Sequence, residues 1–186
     1  MTSLPQSRRR RPLTALVRRA VWLGALAVVG VLTGSASSWA QTPDALTEVY
    51  RDWTVRCAKQ NDTRRCWMVQ ALSRGEAGER ILQMEIALLD DDVTMVLLTP
   101  LGVLLSEGTA VKVDENAERT LSYRMCVPAG CIVETKPSTA EIAELQRGGK
   151  MSVRFVLAQN NAKLQLDISL AGFSAAYTRL TALAKG

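Results

Sequence analysis

Histidine is absent from the sequence, and cysteine is scarce, with four residues in a chain of 186. Histidine is the commonest metal ligand of proteins and the commonest general base near neutral pH. Its absence excludes the Ser–His and Cys–His nucleophile systems and removes imidazole from any metal site. Carboxylates remain as candidate catalytic groups, and no spacing of Asp and Glu residues indicates the carboxylate pair that glycoside hydrolysis requires.

Long apolar segments are also scarce. The run Ala20–Leu32 is about thirteen residues long, which is shorter than the roughly 20 residues that cross a bilayer. Arginines precede this run, and Ser38 and Ala40 place small residues at the −3 and −1 positions before Gln41. This order is typical of a cleaved secretory signal peptide, with an uncleaved membrane anchor as the alternative. The arginines leave open whether export uses the Sec or the twin-arginine route.

We therefore predict that residues 1–40 are a signal peptide and that residues 41–186 form one mature domain, with no transmembrane segment after cleavage. The full chain has 23 basic and 18 acidic residues, and six of the arginines but none of the acids lie in residues 1–40. The mature chain of 146 residues thus has 17 basic and 18 acidic residues. Because no clustered basic face remains, we expect no nucleic-acid partner. The expected location is periplasmic or secreted.

The four cysteines form two close pairs in the sequence. An even cysteine count in an exported chain indicates disulfides, and four cysteines allow three connectivities. Asn61-Asp62 lies between Cys57 and Cys66, and Pro128 and Gly130 lie between Cys126 and Cys131, so each pair flanks residues that favour a turn. We predict the local pairs Cys57–Cys66 and Cys126–Cys131. A zinc site and a redox role are weaker interpretations, because only the second pair has a spacing usual for structural zinc and no C-x-x-C occurs.

The hydrophobic pattern is mostly that of strands. Around eight strands are predicted, from segments at 53–57, 66–72, 80–88, 93–98, 109–114, 121–125, 132–135, 151–157 and 164–170. Residues 41–50 are interpreted as a short leading segment. Ser138 and Glu141 form a capping box that predicts a short helix, and Gly172–Leu183 is a candidate terminal helix. The pattern predicts an all-β fold, an antiparallel sandwich with one or two short helices.

Several side-chain groups are weighed as sites and assigned to structure instead. A calcium site at Asp90, Asp91 and Asp92 lacks the ordered spacing of a calcium loop, so a solvated turn is preferred. Copper binding is considered for five methionines, and core packing is preferred because they are scattered over predicted strands: Met68, Met84, Met95, Met125 and Met151. Core packing is also preferred to partner binding for Trp53, Trp67, Phe173 and Tyr177. Solvated strand positions explain Arg56, Arg64, Arg65 and Arg124.

Five segments, in this order along the chain, resemble the invasion-associated locus B family: Asp52–Cys57, Cys66–Gln70, Pro100–Val103, Tyr123–Cys131 and Ser169–Tyr177. The resemblance covers nearly all of the predicted mature chain. One departure is Thr99, which stands where the family pattern Leu-Pro-Leu-Gly begins with Leu. The resemblance implies a small exported bacterial protein with an immunoglobulin-like β-sandwich and a family name that refers to host-cell invasion. It brings no catalytic residues.

The predicted function is that of an exported, non-enzymatic cell-envelope protein that binds a protein or another envelope component, with a link to host-cell invasion implied by the resemblance. No catalytic, cofactor-binding or metal-ligating residue is assigned, and no cofactor is expected. The partner is unknown, and a monomer or weak oligomer is expected. The alternatives are a periplasmic hydrolase that uses carboxylates and a carrier of a small ligand or metal.

Overall fold

The computed structural model describes residues 45–60, 63–76, 78–89 and 92–185. The predicted leader, the candidate turn at Asn61-Asp62, and Asp90 and Asp91 lie outside these residues. The described chain forms eleven strands and two α-helices: β1 (Ala45–Tyr50), β2 (Trp53–Gln60), β3 (Thr63–Arg74), β4 (Glu79–Leu89), β5 (Asp92–Thr99), β6 (Thr109–Val113), β7 (Arg119–Leu121), β8 (Met125–Val127), β9 (Gly130–Thr135), α1 (Thr139–Arg147), β10 (Lys150–Val156), β11 (Lys163–Ser169) and α2 (Phe173–Ala184).

The strands form two antiparallel sheets. The larger sheet has seven strands in the order β1-β2-β3-β4-β5-β9-β8, so its first five strands follow one another as a meander. The smaller sheet has four strands in the order β11-β10-β6-β7. The predicted all-β antiparallel sandwich with one or two short helices is confirmed. Among the described residues, no helix is long and apolar enough to cross a membrane.

The core lies between the sheets, and both helices contribute to it. Alternate residues of the strands are buried because successive side chains in a strand point to opposite faces. The inward side chains of β4, for example, are Leu82, Met84 and Ile86, all fully buried. Helix α2 adds Phe173, whose ring meets the buried Trp53 edge-on at 5.1 Å between centroids. The helices therefore cover the inner face of the larger sheet together with the smaller sheet.

A polar tie joins the two sheets inside this core. The Gln70 side chain of β3 donates to the carbonyl oxygen of Ser169 at 2.8 Å and accepts from the Ser169 amide at 2.9 Å. The Trp53 indole donates to the same carbonyl oxygen at 2.9 Å. Buried polar groups need partners, and here one buried amide side chain satisfies a backbone N–H and shares a backbone carbonyl. The last residue of β11 is thus fixed to β2 and β3.

The start of each helix has a clear physical cause. Ser138 and Glu141 form the predicted capping box at the start of α1: the Glu141 amide donates to the Ser138 hydroxyl, and the Ser138 amide donates to the Glu141 carboxylate. Before α2, Gly172 has φ of 90°, and a Cβ there would lie 2.0 Å from the Tyr50 carbonyl oxygen. Only glycine suits both the left-handed backbone and this close approach. The two helix predictions therefore hold.

Two strand predictions are wrong. Residues 45–50, interpreted as a leading segment, form the edge strand β1, paired with β2. Its pattern is hidden because the inward position Glu48 is charged, and this carboxylate is satisfied by Arg179 of α2 at 2.8 and 2.9 Å. The single strand predicted at 121–125 is instead the end of β7 and the start of β8, which belong to different sheets.

Candidate functional site

The outer face of the seven-stranded sheet is unusually apolar for a face turned away from the core. In β5, Met95 and Leu97 are buried, whereas Val96 and Leu98 lie on the opposite side and are only partly buried. Other outer positions of β3, β8 and β9 are apolar too. We call this set the apolar outer face, and it consists of Trp67, Val69, Val96, Leu98, Met125, Val127 and Ile132. None of these residues belongs to the core cluster.

Strand register brings these side chains together. One row across the sheet contains Val69, Glu85, Val96 and Glu134. The neighbouring row contains Ala71, Gln83, Leu98, Ile132 and Met125. Directly opposed side chains on one face of an antiparallel pair lie about 5 Å apart and touch. In these rows Leu98, Ile132 and Met125 are directly adjacent apolar residues from distant parts of the sequence, whereas Glu85 separates Val69 from Val96.

The part of this face formed by β4, β5, β9 and the β8–β9 hairpin holds a shallow depression of about 190 Å³. Its lining is mostly apolar, with one amide and one carboxylate: Val96, Leu98, Val127, Ala129, Ile132, Gln83 and Glu85. The Gln83 amide donates to Glu85 at 2.5 Å, and Arg80 donates to the Gln83 side-chain oxygen at 3.2 Å. These polar groups are already oriented by one another, which suits a site that fixes the position of an apolar partner group.

Two ion pairs lie beside the depression, at the end of the sheet where β5 begins and β9 ends. Arg124 pairs with Glu134, and Lys136 pairs with Asp92. Both pairs are well exposed, so each contributes little to stability. An apolar centre within a polar, solvent-exposed rim is the usual anatomy of a protein–protein interface.

Nothing covers this face within the described part of the chain. Both helices and the smaller sheet contribute buried residues to the inner side of the larger sheet. On the outer side, Met125 remains 47% exposed, and Val49 of the edge strand β1 remains 69% exposed. Of the apolar outer face, Met125 is exposed and the other six residues are partly buried, so the face leaves some apolar surface open, and apolar patches of this kind mark interaction sites.

Two disulfides lie at the ends of the larger sheet. Cys57 is joined to Cys66 across β2 and β3, and Cys126 is joined to Cys131 across β8 and β9, with Cα atoms 4.1 and 4.0 Å apart. The second bond fixes the hairpin that carries Met125, Val127 and Ile132 on the apolar outer face. Gly130 completes this hairpin with φ of 143°. The disulfide thus positions part of the candidate site.

The departure at Thr99 is also accommodated here. Thr99 is 1% exposed, and its hydroxyl donates to the Cys131 carbonyl oxygen at 3.3 Å. A polar side chain is tolerated at this buried position because its hydroxyl has a backbone acceptor.

The comparisons with known proteins agree with this architecture. The profile of the family described as invasion associated locus B (IalB) protein matches residues 53–181. The chain belongs to the invasion associated locus B family. An invasion protein B homolog of Brucella abortus strain 2308 is 34% identical over 155 residues, covering 83% of this chain and 90% of the relative. Invasion protein B of Bartonella bacilliformis is 32% identical over 168 residues, covering 84% and 82%.

The fold of this family member is also found in a solved structure. The crystal structure of invasion associated protein B from Bartonella henselae matches with a TM-score of 0.69 and 33% sequence identity, covering 75% of this chain and 97% of that one. The names of these relatives refer to invasion and do not name an enzymatic activity.

The other sequence-based candidates lie apart from the site or inside the core. Four of the five methionines are buried, and Met125 is the exposed exception. Among the described residues, no group of three or more Cys, Asp or Glu residues could hold a metal ion. Trp53 and Phe173 are fully buried and Tyr177 stacks on Phe173, but Trp67 lies on the outer face and not in the core. Core packing was therefore the wrong interpretation for Trp67.

Sequence reasoning did not identify the apolar outer face, although a signal was present. The segment Val93–Leu98 is mostly apolar, and Met95–Leu98 is apolar at four successive positions without alternation. A run of this length is typical of a buried strand, and strands buried on both sides are the usual case in parallel sheets. In this antiparallel sheet, the second side of the run is the uncovered face.

Proposed function

We propose that this family member is an exported protein of the bacterial cell envelope that acts without catalysis, by binding a protein partner at the apolar outer face. The observation that carries the proposal is the shallow, mostly apolar depression of that face with the ion pairs beside it. The two disulfides of the structure suit an oxidising compartment and therefore support export. The names of the relatives support a link to host-cell invasion.

A protein partner fits this face better than an anionic membrane or a nucleic acid. Such partners bind through clustered Lys and Arg residues. Around the depression the cations Arg124 and Lys136 are each paired with an acid and Glu85 adds negative charge, and further cations of the face, Arg56 and Arg65, lie on β2 and β3. We expect the partner to present apolar side chains to the depression and a donor group to Glu85.

The alternative of a hydrolase that uses carboxylates requires two convergent acids, one with a raised pKa. The depression is lined by one carboxylate, that of Glu85. Elsewhere, hydrogen bonds from Arg179 and Lys150 lower the pKa values of Glu48 and Asp167, which is the opposite of what a general acid needs. These observations do not favour the hydrolase.

The test is the substitution Leu98→Asp, which places a charge in the depression, with Leu105→Asp as the matched control. Leu105 is apolar and 50% exposed, more than the partly buried Leu98, and it lies in the short turn before β6, away from the outer face. We expect partners captured from envelope extracts by the wild type and by Leu105→Asp to be lost with Leu98→Asp, with at least a tenfold fall in affinity. Melting curves show whether both variants are folded.

Two results would contradict the proposal. One is the absence of any captured protein under several conditions of salt and pH. The other is equal capture by folded Leu98→Asp and wild-type protein, which would place the binding surface elsewhere.

A further inference from the structure

Strand β11 is an edge of the four-stranded sheet, and its backbone shows which groups remain open. The Ser169 amide and carbonyl point away from β10, since they bond to Gln70 and Trp53 of the other sheet. The Leu170 amide, one residue on, bonds back to the Gly149 carbonyl. Backbone groups in an antiparallel edge strand alternate in this way between the neighbour and the open side.

The same alternation assigns the rest of the strand. Leu164, Leu166 and Ile168 direct their backbone groups to β10, whereas Lys163, Gln165 and Asp167 direct theirs to the open side. Beyond Asp167 no further strand can pair, because the side chains of Gln70 and Trp53 already bind the backbone amide and carbonyl groups of Ser169. Within the described part of the chain, the open edge is therefore the five-residue stretch 163–167, and an edge of this kind is a template for another strand.

The side chains of this stretch are self-complementary. If a second β11 runs antiparallel with Gln165 opposite its own copy, Lys163 lies opposite Asp167 in each direction. The three residues whose backbone groups point to the open side, Lys163, Gln165 and Asp167, then all fall in hydrogen-bonded pairs. The backbone alternation and the side-chain charges therefore favour the same register. Opposite charges at such cross-strand positions stabilise pairing. Lys163 has no ion-pair partner among the described residues, whereas Asp167 is bonded by Lys150 at 2.7 Å.

The other side of the strand agrees with this register. Leu164 is 39% exposed on the inward-facing side of β11. In the paired arrangement it lies opposite Leu166 of the second copy, so self-association would cover an exposed apolar side chain. Gln165 lies on the symmetry axis; within one copy its amide nitrogen donates to Asp167 at 3.2 Å and to Ser152 at 3.4 Å, and its side-chain oxygen is the acceptor it offers to a second copy.

We propose that a second copy of this chain pairs with β11 in this register about a two-fold axis through Gln165, which joins the two four-stranded sheets into one. A stretch of five residues buries much less surface than a standard protein–protein interface. The dimer is therefore weak and depends on concentration. It leaves the apolar outer face free, since that face belongs to the other sheet, so the inference stands independently of the proposed partner binding.

The test uses the chain expressed in full and purified after export, with sedimentation velocity over a range of concentrations. Gln165→Pro removes an amide that points to the open side, so the bond ladder to β10 is kept while the central pair is lost. Lys163→Glu places like charges opposite each other, and Lys185→Glu makes the same charge change near the chain end, outside β11. We expect dimerisation to be at least tenfold weaker for Gln165→Pro and Lys163→Glu. We expect Lys185→Glu to dimerise as strongly as the wild type.

A photo-crosslinking amino acid in place of Gln165 identifies the occupant of the edge. Crosslinks between two copies of the segment 163–167 are the expected result. Three results would each overturn the proposal. One is a wild-type protein that stays monomeric up to about 1 mM, and another is crosslinking to a different protein only. The third is equal dimerisation of the wild type and Lys163→Glu. If Gln165→Pro does not fold, the strength of dimerisation of Lys163→Glu compared with that of Lys185→Glu still tests the proposal.

Discussion

Replacing Gln70 by Leu tests whether the polar tie between the sheets stabilises the fold. Gln70 is 6% exposed, and its amide bonds to both the N–H and the carbonyl oxygen of Ser169. Leu has a similar volume and leaves no large cavity, so the substitution removes the hydrogen bonds with little change in packing. The Ser169 carbonyl oxygen keeps the hydrogen bond from the Trp53 indole, whereas the Ser169 amide loses its acceptor.

The magnitude follows from this asymmetry. A buried donor without a partner costs about 1–3 kcal/mol, and a retained bond costs nothing. We therefore expect the free energy of unfolding to fall by about 2 kcal/mol. For a domain of this size, each kcal/mol lowers the melting temperature by about 3 °C, so the expected fall is about 6 °C.

A double-mutant cycle with Trp53→Phe sharpens the test. Gln70 and Trp53 donate to the same carbonyl oxygen, so either single variant leaves one donor in place and the double variant leaves none. The double variant should lose about 1 kcal/mol more than the sum of the single losses. Thermal and urea unfolding followed by circular dichroism measure all four proteins. Gln159→Leu, at an exposed turn, is the control, and a Gln70→Leu protein that melts like this control would refute the reasoning.

Two further predictions concern the second disulfide hairpin and the terminal helix. Gly130→Val should lower the yield of protein with the Cys126–Cys131 bond, measured by non-reducing peptide mapping, because Gly130 has φ of 143° and a Cβ would lie 2.3 Å from the Thr99 carbonyl oxygen. Wild-type yield, or a crosslink between the two cysteine pairs, would contradict the hairpin assignment. The hydrogen bond from Arg179 lowers the pKa of Glu48 from its ordinary 4.5, so the stabilisation is complete above that pH and is lost as pH falls through the lowered value. Glu48→Gln should therefore have a lower melting temperature than the wild type at pH 6, and its melting temperature should fall less as the pH is lowered. If the melting temperatures of both proteins fall in parallel from pH 6 to pH 3, the ion pair does not contribute to stability.

The fold was largely predictable because most strands obey a period of two with one apolar side. Thr109–Val113 and Lys150–Val156 alternate cleanly and were placed within a residue or two. The capping box at Ser138 is equally local, since its partners are three residues apart. Prediction failed where the decisive partner is distant. Glu48 occupies an inward position of β1 only because Arg179 neutralises it, and no local pattern reveals that contact.

The tie at Gln70 shows the same limit inside a recognised motif. Trp53, Gln70 and Ser169 all stand in segments that carry the family resemblance, yet their sequence separation is as large as 116 residues. The resemblance indicated the fold without indicating that these residues meet. Their contacts explain why these particular polar and aromatic types stand there: a buried backbone N–H and carbonyl at the end of β11 need partners from the other sheet.

The candidate site was missed for a related reason, and the reason indicates how such faces can be found. A strand that packs on one side alone needs apolar residues at every second position, and Val96 and Leu98 exceed that need. The excess requires a second covering surface, which in a parallel sheet is a layer of helices. In this antiparallel sheet both helices lie on the inner side, so the described chain has no element left to cover the outer one. The surplus apolar positions of β5, together with Trp67, Ile132 and Met125 on neighbouring strands, are the positions that the proposed partner would cover.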